Sequence, residues 1–305
     1  MISLAVLAKS SDYFVLFSEK IGLALGISSY VIGATIVAMG TSMPELITSI
    51  LGQQEVSSFA IDNIIGSNIA NSALVVGLSA IIARKLNIKN NVIDVDIPFL
   101  LVASGLFCLF IWDGIFTFAE AILILIFFAI YIAYTLSAEG HAEIKEIVEE
   151  EVVEKEKLKW YFFAGLVVSG GFLYLGGRYT VSSVLKLSEL LNIQSSVLTM
   201  IVVALGTSLP EIIVSVKAAY NGKAGLAIGN AFGSNIFNIA VVIGVPALYT
   251  DVTLSAEAFK IGIPFFLVAT LAVLFTTIDD IVSRWEGWAL LIVYSAFLGK
   301  LTGIL

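Results

Sequence analysis

Two stretches of the chain, GTSMPELI and GTSLPEII, repeat an unusual combination of residues. In each stretch a glutamate, Glu45 or Glu211, follows a threonine, Thr41 or Thr207, by four residues, so both side chains share one helix face. Each glutamate lies in a strongly apolar run, where an ionisable side chain is costly and is by default a candidate functional residue. The chemistry that best suits these oxygen-bearing side chains is the binding of a cation.

Further oxygen donors recur in both copies. A serine stands beside each threonine, and in the next apolar run a serine precedes an asparagine by four residues, again on one helix face. None of these groups is a sulfur or an imidazole. The additional donors are Ser42, Ser67 and Asn71 in the first copy and Ser208, Ser234 and Asn238 in the second.

The prolines of the two motifs add main-chain oxygens. Pro44 lacks the N–H that would donate to the carbonyl of Gly40, and Pro210 likewise leaves the carbonyl of Gly206 without its helical partner. Carbonyls freed in a membrane must be satisfied by protein or by a hydrated cavity, and a cation is a suitable partner. Carboxylates, hydroxyls, amides and carbonyls suit Ca²⁺ and Na⁺, whereas Mg²⁺ fits less well because it demands strict octahedral geometry. Two ionised glutamates balance the charge of one Ca²⁺. When no ion is bound between them they repel each other, which favours refilling of the site by Na⁺ or H⁺.

Simpler roles compete with these assignments. A buried glutamate can be a protonated, hydrogen-bonded structural residue, and Asn71 and Asn238 can be hydrogen-bonding links between helices. An intramembrane protease would need an aspartate pair or a Ser–His pair, but the only histidine, His141, lies in the most polar segment. A channel is the other class, although channels usually build their pores from rings of residues in an oligomer.

The elements that position these residues are membrane-spanning helices. The chain is 59% hydrophobic and 13% charged, against roughly a quarter charged in soluble domains. Apolar runs reach about 20 residues, the length of helix that crosses a bilayer. We predict an all-α polytopic membrane protein with about ten spans, near residues 3–24, 29–52, 59–83, 95–112, 115–136, 160–185, 196–219, 225–249, 257–278 and 285–304.

Basic residues predict the orientation. With the N-terminus outside, eleven lysines and arginines fall in inner segments and four in outer ones. Since cytoplasmic loops carry the excess of basic residues, we expect both termini outside the cell membrane. The acidic segment 138–158 is then a cytoplasmic loop.

The two copies are arranged as an inverted repeat. Their offset is 166 residues for the first motif and 167 for the second, in which ten of seventeen residues match. Five spans separate the copies, so the second crosses the membrane in the opposite direction. This architecture is typical of secondary transporters and places the site at the midplane. We predict two five-helix repeats, residues 1–137 and 159–305, on either side of the acidic loop.

The motifs GTSMPE with GSNIAN, and GTSLPE with GSNIFN, resemble the paired alpha repeats of the cation/calcium exchanger superfamily, particularly its prokaryotic sodium/calcium branch. The resemblance covers the whole chain. It implies a Ca²⁺ site made by Glu45, Glu211, Thr41 and Thr207. It also implies Na⁺ sites that use Ser42, Ser67, Ser208 and Ser234 with the main-chain carbonyls of Ala38 and Ala204. Spans 1 and 6 would slide across the site to alternate access.

Two departures from the family pattern stand out. Some relatives, including potassium-dependent ones, have aspartate where Asn238 stands, which argues against potassium dependence and leaves the stoichiometry open. When the two copies are aligned on their glutamates, Met1 matches Val167. The sixth span is predicted to begin earlier, near Trp160, so the first span is shorter at its start than the sixth.

The expected function is antiport of Ca²⁺ against Na⁺ by alternating access. The alternative is Ca²⁺/H⁺ antiport through the same glutamates. The family's motif in the proton branch is of the GNxxE type, unlike the GTSxPE found here, which favours Na⁺. We expect the bilayer, Ca²⁺ and Na⁺ (or H⁺) as partners, with no enzymatic activity, organic cofactor, nucleic acid or required protein partner.

Overall fold

Ten helical segments follow one another in the residues that the structure describes. The structure, a computed structural model, describes residues 2–24, 37–88, 91–135 and 158–305. Residues 29–36 of the predicted second span, and residues 138–157 of the acidic segment with His141, lie outside these ranges. The segments are α1 Ile2–Ala24, α2a Ala38–Thr41 with α2b Met43–Gln53, α3 Phe59–Ala83, α4 Asn91–Phe110, α5 Phe118–Thr135, α6 Trp160–Leu191, α7a Ser195–Thr207 with α7b Leu209–Tyr220, α8 Ala224–Ala247, α9 Ala258–Thr277 and α10 Arg284–Leu301.

The most apolar segments confirm a multi-pass membrane protein. Among the described residues, α3, α5, α6, α8 and α9 are each long and apolar enough to cross a bilayer, and the bent α7 is a sixth candidate. Within their most apolar windows, α3 is 83% buried and α8 is 89% buried, whereas α5 is 22% buried. The helices that carry the GSNIAN and GSNIFN motifs therefore form the centre of the bundle.

Close packing at the centre depends on small residues. A Cβ added to Gly66 of α3 would lie 2.3 Å from the carbonyl oxygen of Met200 and 2.6 Å from the Cβ of Ala204. Only glycine allows the two backbones to approach this closely, as is common between helices in membranes. This contact brings α3 of one repeat against α7a of the other, next to the broken helices.

Two short antiparallel ribbons, absent from the sequence prediction, join the two halves of the chain. Strand β1, Lys85–Asn87, pairs with β4, Ile281–Ser283, and β2, Ile115–Phe116, pairs with β3, Val252–Thr253. Helix α4 runs from the β1–β4 ribbon to the β2–β3 ribbon, whereas α9 runs from the β2–β3 ribbon back to the first. Because α4 and α9 are the equivalent fourth helices of the two halves, the second half is inverted relative to the first.

Helices α1 and α6 lie side by side at the edge of the bundle. Helix α1 has 23 residues and α6 has 32, in agreement with the unequal lengths that the alignment of the repeats predicts. A Cβ on Gly176 of α6 would lie 3.1 Å from the backbone nitrogen of Leu7, and a Cβ on Gly165 would overlap the ring of Phe17. The two helices therefore pack closely along their lengths.

Candidate functional site

The breaks in α2 and α7 lie at equivalent serines. Ser42 has φ −85° and ψ 6°, and Ser208 has φ −79° and ψ 6°, so the helix stops and restarts at each. Pro44 and Pro210 follow within the first turn of α2b and α7b, where a missing N–H costs no hydrogen bond. Helices α7a and α7b are bent by 45° relative to each other. Broken helices of this kind line the binding sites of many transporters.

Each glutamate is held by a serine of the opposite repeat. The hydroxyl of Ser42 donates to Glu211 Oε1 at 3.0 Å, and the hydroxyl of Ser208 donates to Glu45 Oε1 at 3.0 Å. All four side chains are completely buried. The two bonds are related by the pseudo-two-fold axis of the inverted repeat, so the carboxylates face each other across the meeting point of the repeats.

The carbonyls of Ala38 and Ala204 also receive bonds from both repeats. The Ser234 hydroxyl donates to the Ala38 carbonyl at 3.3 Å, and the Ser67 hydroxyl donates to the Ala204 carbonyl at 3.5 Å. Within each repeat a threonine donates to the same carbonyl. These bonds are Thr41 to Ala38 at 3.1 Å and Thr207 to Ala204 at 3.2 Å.

Asn71 and Asn238 both lie in π-helical turns. These turns span Ala70–Val75 in α3 and Asn238–Val242 in α8, and π turns inside α-helices occur frequently at functional sites. Asn238 donates to Asn68 at 3.0 Å, whereas neither polar atom of the Asn71 side chain has a hydrogen-bond partner. Both side chains are completely buried.

Of the twelve residues predicted for the site, ten are joined by the hydrogen bonds described above. Asn71 and Asn238 make no side-chain hydrogen bond with those ten in the described part of the chain, although they lie on the same central helices. All twelve are at most 2% exposed. The structure therefore gathers the donors in the buried interior between the two repeats, and their role as ion ligands stays a prediction.

The electrostatics of the cluster are unbalanced. Glu45 and Glu211 each keep one oxygen, Oε2, buried without a partner. The salt bridge between Lys9 and Asp12 lies exposed on α1, and neither Glu45 nor Glu211 is bonded to a lysine or arginine of the described residues. Buried charges are ordinarily paired or bound to a metal, so two unpaired carboxylates leave a place for positive charge. The described residues contain no cluster of three or more His, Cys, Asp or Glu side chains, and the site instead combines two carboxylates with neutral oxygens.

Comparison with known proteins decides the family. The family model described as "Sodium/calcium exchanger protein" matches residues 1–137 and 161–302. This chain belongs to the sodium/calcium exchanger protein family. Membership of this family makes the chain a multi-pass membrane protein that exchanges cations, and not an enzyme.

Individual relatives match this exchanger over nearly its whole length. The sodium/calcium exchanger MaX1 of Methanosarcina acetivorans is 31% identical, over 98% of this chain and 96% of the relative. The membrane protein MJ0091 of Methanocaldococcus jannaschii is 34% identical, over 99% of this chain and 96% of the relative. A solved structure of the sodium-calcium exchanger NCX_Mj, soaked with 2.5 mM Na⁺ and 10 mM Sr²⁺, has a TM-score of 0.68 and 30% identity, over 96% of this chain and 94% of the other.

The exchanger also contains repeated asparagines that the sequence analysis missed. Asn63 donates to Ser49 at 3.0 Å, and Asn230 donates to Ser215 at 3.0 Å. These bonds tie α3 to α2b and α8 to α7b, so they fix the helices that carry the glutamates. Asn63 and Asn230 stand at equivalent positions of the two copies, and this coincidence could have identified them.

Proposed function

We propose that this exchanger carries Ca²⁺ in one direction and Na⁺ in the other through a single site built on Glu45 and Glu211. The observation that supports it most directly is the pair of buried carboxylates, each with an unpartnered oxygen and no basic side chain bonded to it in the described residues. Two ionised carboxylates balance the charge of one Ca²⁺. Their approach without an ion between them is unfavourable in an interior of low dielectric constant.

The hydroxyls supply ligands that adapt to the occupant. Each hydroxyl has one O–H and two lone pairs, and its proton can rotate. In the structure, Ser42 and Ser208 donate to the glutamates. When a cation binds, each O–H can turn away so that its lone pairs face the ion. The carbonyls of Ala38 and Ala204 already accept hydroxyl bonds from both repeats, and these oxygens suit Na⁺.

Exchange follows from competition for these oxygens. A site with two glutamates is neutralised by one Ca²⁺ or by monovalent ions, and it resists remaining empty because the carboxylates repel each other. Release of one ion on one side therefore favours loading of the other. This coupling needs no second binding region.

Access would alternate by movement of α1 and α6 over the broken helices. A Cβ on Gly206 of α7a would lie 2.5 Å from the side chain of Leu4, and a Cβ on Gly177 would lie 2.7 Å from that of Ile47 on α2b. Helices α1 and α6 therefore cover both breaks. The hydroxyls of Ser10 and Ser169 bond to carbonyls of their own helices, so these two side chains do not oppose sliding.

The orientation with both termini outside is part of the proposal. It places the β1–β4 ribbon in the cytoplasm and the β2–β3 ribbon outside. Support comes from the excess of basic residues in the segments assigned to the inside.

Ion-driven uptake tests the counter-ion. The purified protein is reconstituted in proteoliposomes loaded with Na⁺, and uptake of radioactive Ca²⁺ is compared with uptake into vesicles loaded with K⁺. An outward Na⁺ gradient should drive Ca²⁺ accumulation, and K⁺ should not. Uptake that follows an imposed pH gradient and ignores Na⁺ would instead establish Ca²⁺/H⁺ exchange through the same glutamates.

A further inference from the structure

Four asparagines lie buried on α3 and α8 at the centre of the bundle. Asn68 is equivalent to Asn235, and Asn71 is equivalent to Asn238, through the repeated motifs GSNIAN and GSNIFN. All four are at most 1% exposed. A buried amide without hydrogen-bond partners costs free energy.

On one side of the pseudo-two-fold axis the amides are firmly held. Asn238 Nδ2 donates to Asn68 Oδ1 at 3.0 Å, and Asn68 Nδ2 donates to the main-chain carbonyl of Asn235 at 3.3 Å. Because the nitrogen of Asn238 is used in this bond, the orientation of its amide is determined. Its oxygen, Oδ1, is left buried and without a partner.

On the other side the equivalent bond is missing. Asn71 Nδ2 and Asn235 Oδ1 would form it, yet both atoms are buried without partners. The amide of Asn235 is instead engaged by Ser72, whose hydroxyl accepts from Asn235 Nδ2 at 2.8 Å. The residue equivalent to Ser72 in the second copy is Ile239, which has no hydroxyl. The equivalent amides of Asn68 and Asn235 therefore donate to different groups, a main-chain carbonyl and the hydroxyl of Ser72.

We infer that Asn68 and Asn235 are positioning residues for the amides of Asn238 and Asn71, and that Ser72, by binding Asn235 Nδ2, turns the Asn235 oxygen away from Asn71 and leaves the Asn71 amide unheld. The ligand concerned is a hard cation such as Ca²⁺ or Na⁺, and the inference rests on the proposed function. Groups that hold a metal ligand by a hydrogen bond typically contribute about 10- to 100-fold to metal affinity. The held Asn238 then presents a preorganised oxygen, whereas Asn71 must be ordered when the ion binds, which lowers affinity.

This asymmetry predicts substitutions with opposite effects. Asn68→Ala frees the Asn238 amide and should weaken Ca²⁺ binding by about 10-fold or more. Ser72→Ala releases Asn235 Nδ2, so the Asn235 amide can rotate and its oxygen can accept from Asn71 Nδ2; this orders the Asn71 amide and should tighten binding by a few-fold. Ser72→Thr keeps the hydroxyl and should restore wild-type affinity. Equilibrium binding of radioactive Ca²⁺ to the purified protein, with Na⁺ as competitor, measures each change without transport.

Two comparisons separate positioning from a general effect on packing. Ser79→Ala removes another buried hydroxyl from α3, one without a hydrogen-bond partner, and should leave affinity unchanged. If Ser72 acts through Asn235, the gain from Ser72→Ala should vanish in the Asn235→Ala background. A Ser72→Ala protein indistinguishable from Ser79→Ala, or a gain that persists without Asn235, would overturn the inference alone. A wild-type protein that binds no Ca²⁺ would overturn the proposed function, and the inference with it.

Discussion

At the scale of single residues, Glu45 and Glu211 depend on each other's repeat. Each carboxylate accepts a hydrogen bond from a serine that lies on the opposite half of the chain, and each retains one unpartnered oxygen. A lone glutamate in an apolar helix is costly, and its counterpart in the other repeat doubles that cost. A bound cation, as proposed, would offset both charges at once, which would explain why the two acids occur together.

Removal of either charge should abolish exchange. Glu45→Gln or Glu211→Gln keeps the side-chain shape but leaves the remaining carboxylate unable to balance a divalent ion. Breaking a buried charge pair costs about 3–5 kcal/mol, which corresponds to a loss of about 10²- to 10³-fold or more in ion affinity. Ca²⁺ uptake into Na⁺-loaded proteoliposomes measures the loss, and gel filtration and thermal unfolding establish that the variants fold.

Glu55 provides the matched control for these variants. It lies just beyond the end of α2b and is exposed, so Glu55→Gln makes the same chemical change away from the site. This variant should transport normally. Near-normal Ca²⁺ uptake by Glu45→Gln or Glu211→Gln would rule out the glutamate pair as the site.

At the scale of helices and strands, the site depends on interruptions of regular structure. The serine breaks at 42 and 208 bring two half-helices to the glutamates, and π turns carry Asn71 and Asn238. Close contact between α3 and α7a holds the carbonyl of Ala204 near Ser67. The position of that carbonyl is therefore sensitive to any added volume at Gly66.

Gly66→Ala should disturb the site from outside the ligand set. The new Cβ would approach the Met200 carbonyl to 2.3 Å, which forces α3 and α7a apart. Overpacking of this kind costs about 1–3 kcal/mol of stability. Thermal unfolding in detergent should show that loss, together with weaker Ca²⁺ binding. Gly105→Ala on α4, where nothing lies within 4 Å of the added carbon, should change neither, and equal behaviour of the two variants would contradict the role of this contact.

Some of these elements could be predicted from the sequence and others could not. Apolar runs located α3 at residues 59–83, as observed, because span length is set by bilayer thickness. The π turns at Asn71 and Asn238 escaped prediction, since one extra residue in a turn barely alters an apolar pattern. The ribbon strands are too short to show alternation, and their partners lie far along the chain. The bonds of Ser42 and Ser208 cross between repeats, whereas helical spacing relates only residues of one helix.

At the scale of the whole molecule, the two ribbons reveal the relation of the repeats. β1 pairs with β4, and β2 pairs with β3, so each ribbon fastens one half of the chain to the other on one side of the bundle. Helices α4 and α9 run in opposite directions between them. An inverted repeat of this kind provides two similar routes from a central site, one to each side of the membrane.

Labelling of single cysteines should establish the orientation. Asp113 and Asp279 are exposed beside the two ribbons, and the proposed orientation places Asp113 outside and Asp279 inside. With the chain's one cysteine, Cys108, replaced by alanine, a membrane-impermeant maleimide applied to intact cells should label Asp113→Cys but not Asp279→Cys until the cells are opened. The reverse pattern would place both termini in the cytoplasm.

A disulfide between α6 and α2b should arrest transport if α6 slides over the site. A Cβ built on Gly177 lies 3.6 Å from the Cβ of Ile47, within the range of about 3.5–4.5 Å found in disulfides. Ile47→Cys with Gly177→Cys, in the Cys108→Ala background, should therefore cross-link when oxidised. Na⁺-driven Ca²⁺ uptake should then stop and should return on reduction, because the covalent bond holds α6 against the helix that carries Glu45.

The matched control is a disulfide that joins the repeats without holding α6. Lys85 and Ser283 are opposite each other in the β1–β4 ribbon, and paired positions of antiparallel strands lie about 4.5–5.5 Å apart, a separation that a disulfide can span. Lys85→Cys with Ser283→Cys should cross-link and leave uptake unchanged. Full transport by the oxidised Ile47–Gly177 variant, with cross-linking verified by mass spectrometry, would show that α6 stays fixed to α2b during exchange and that access alternates by another movement.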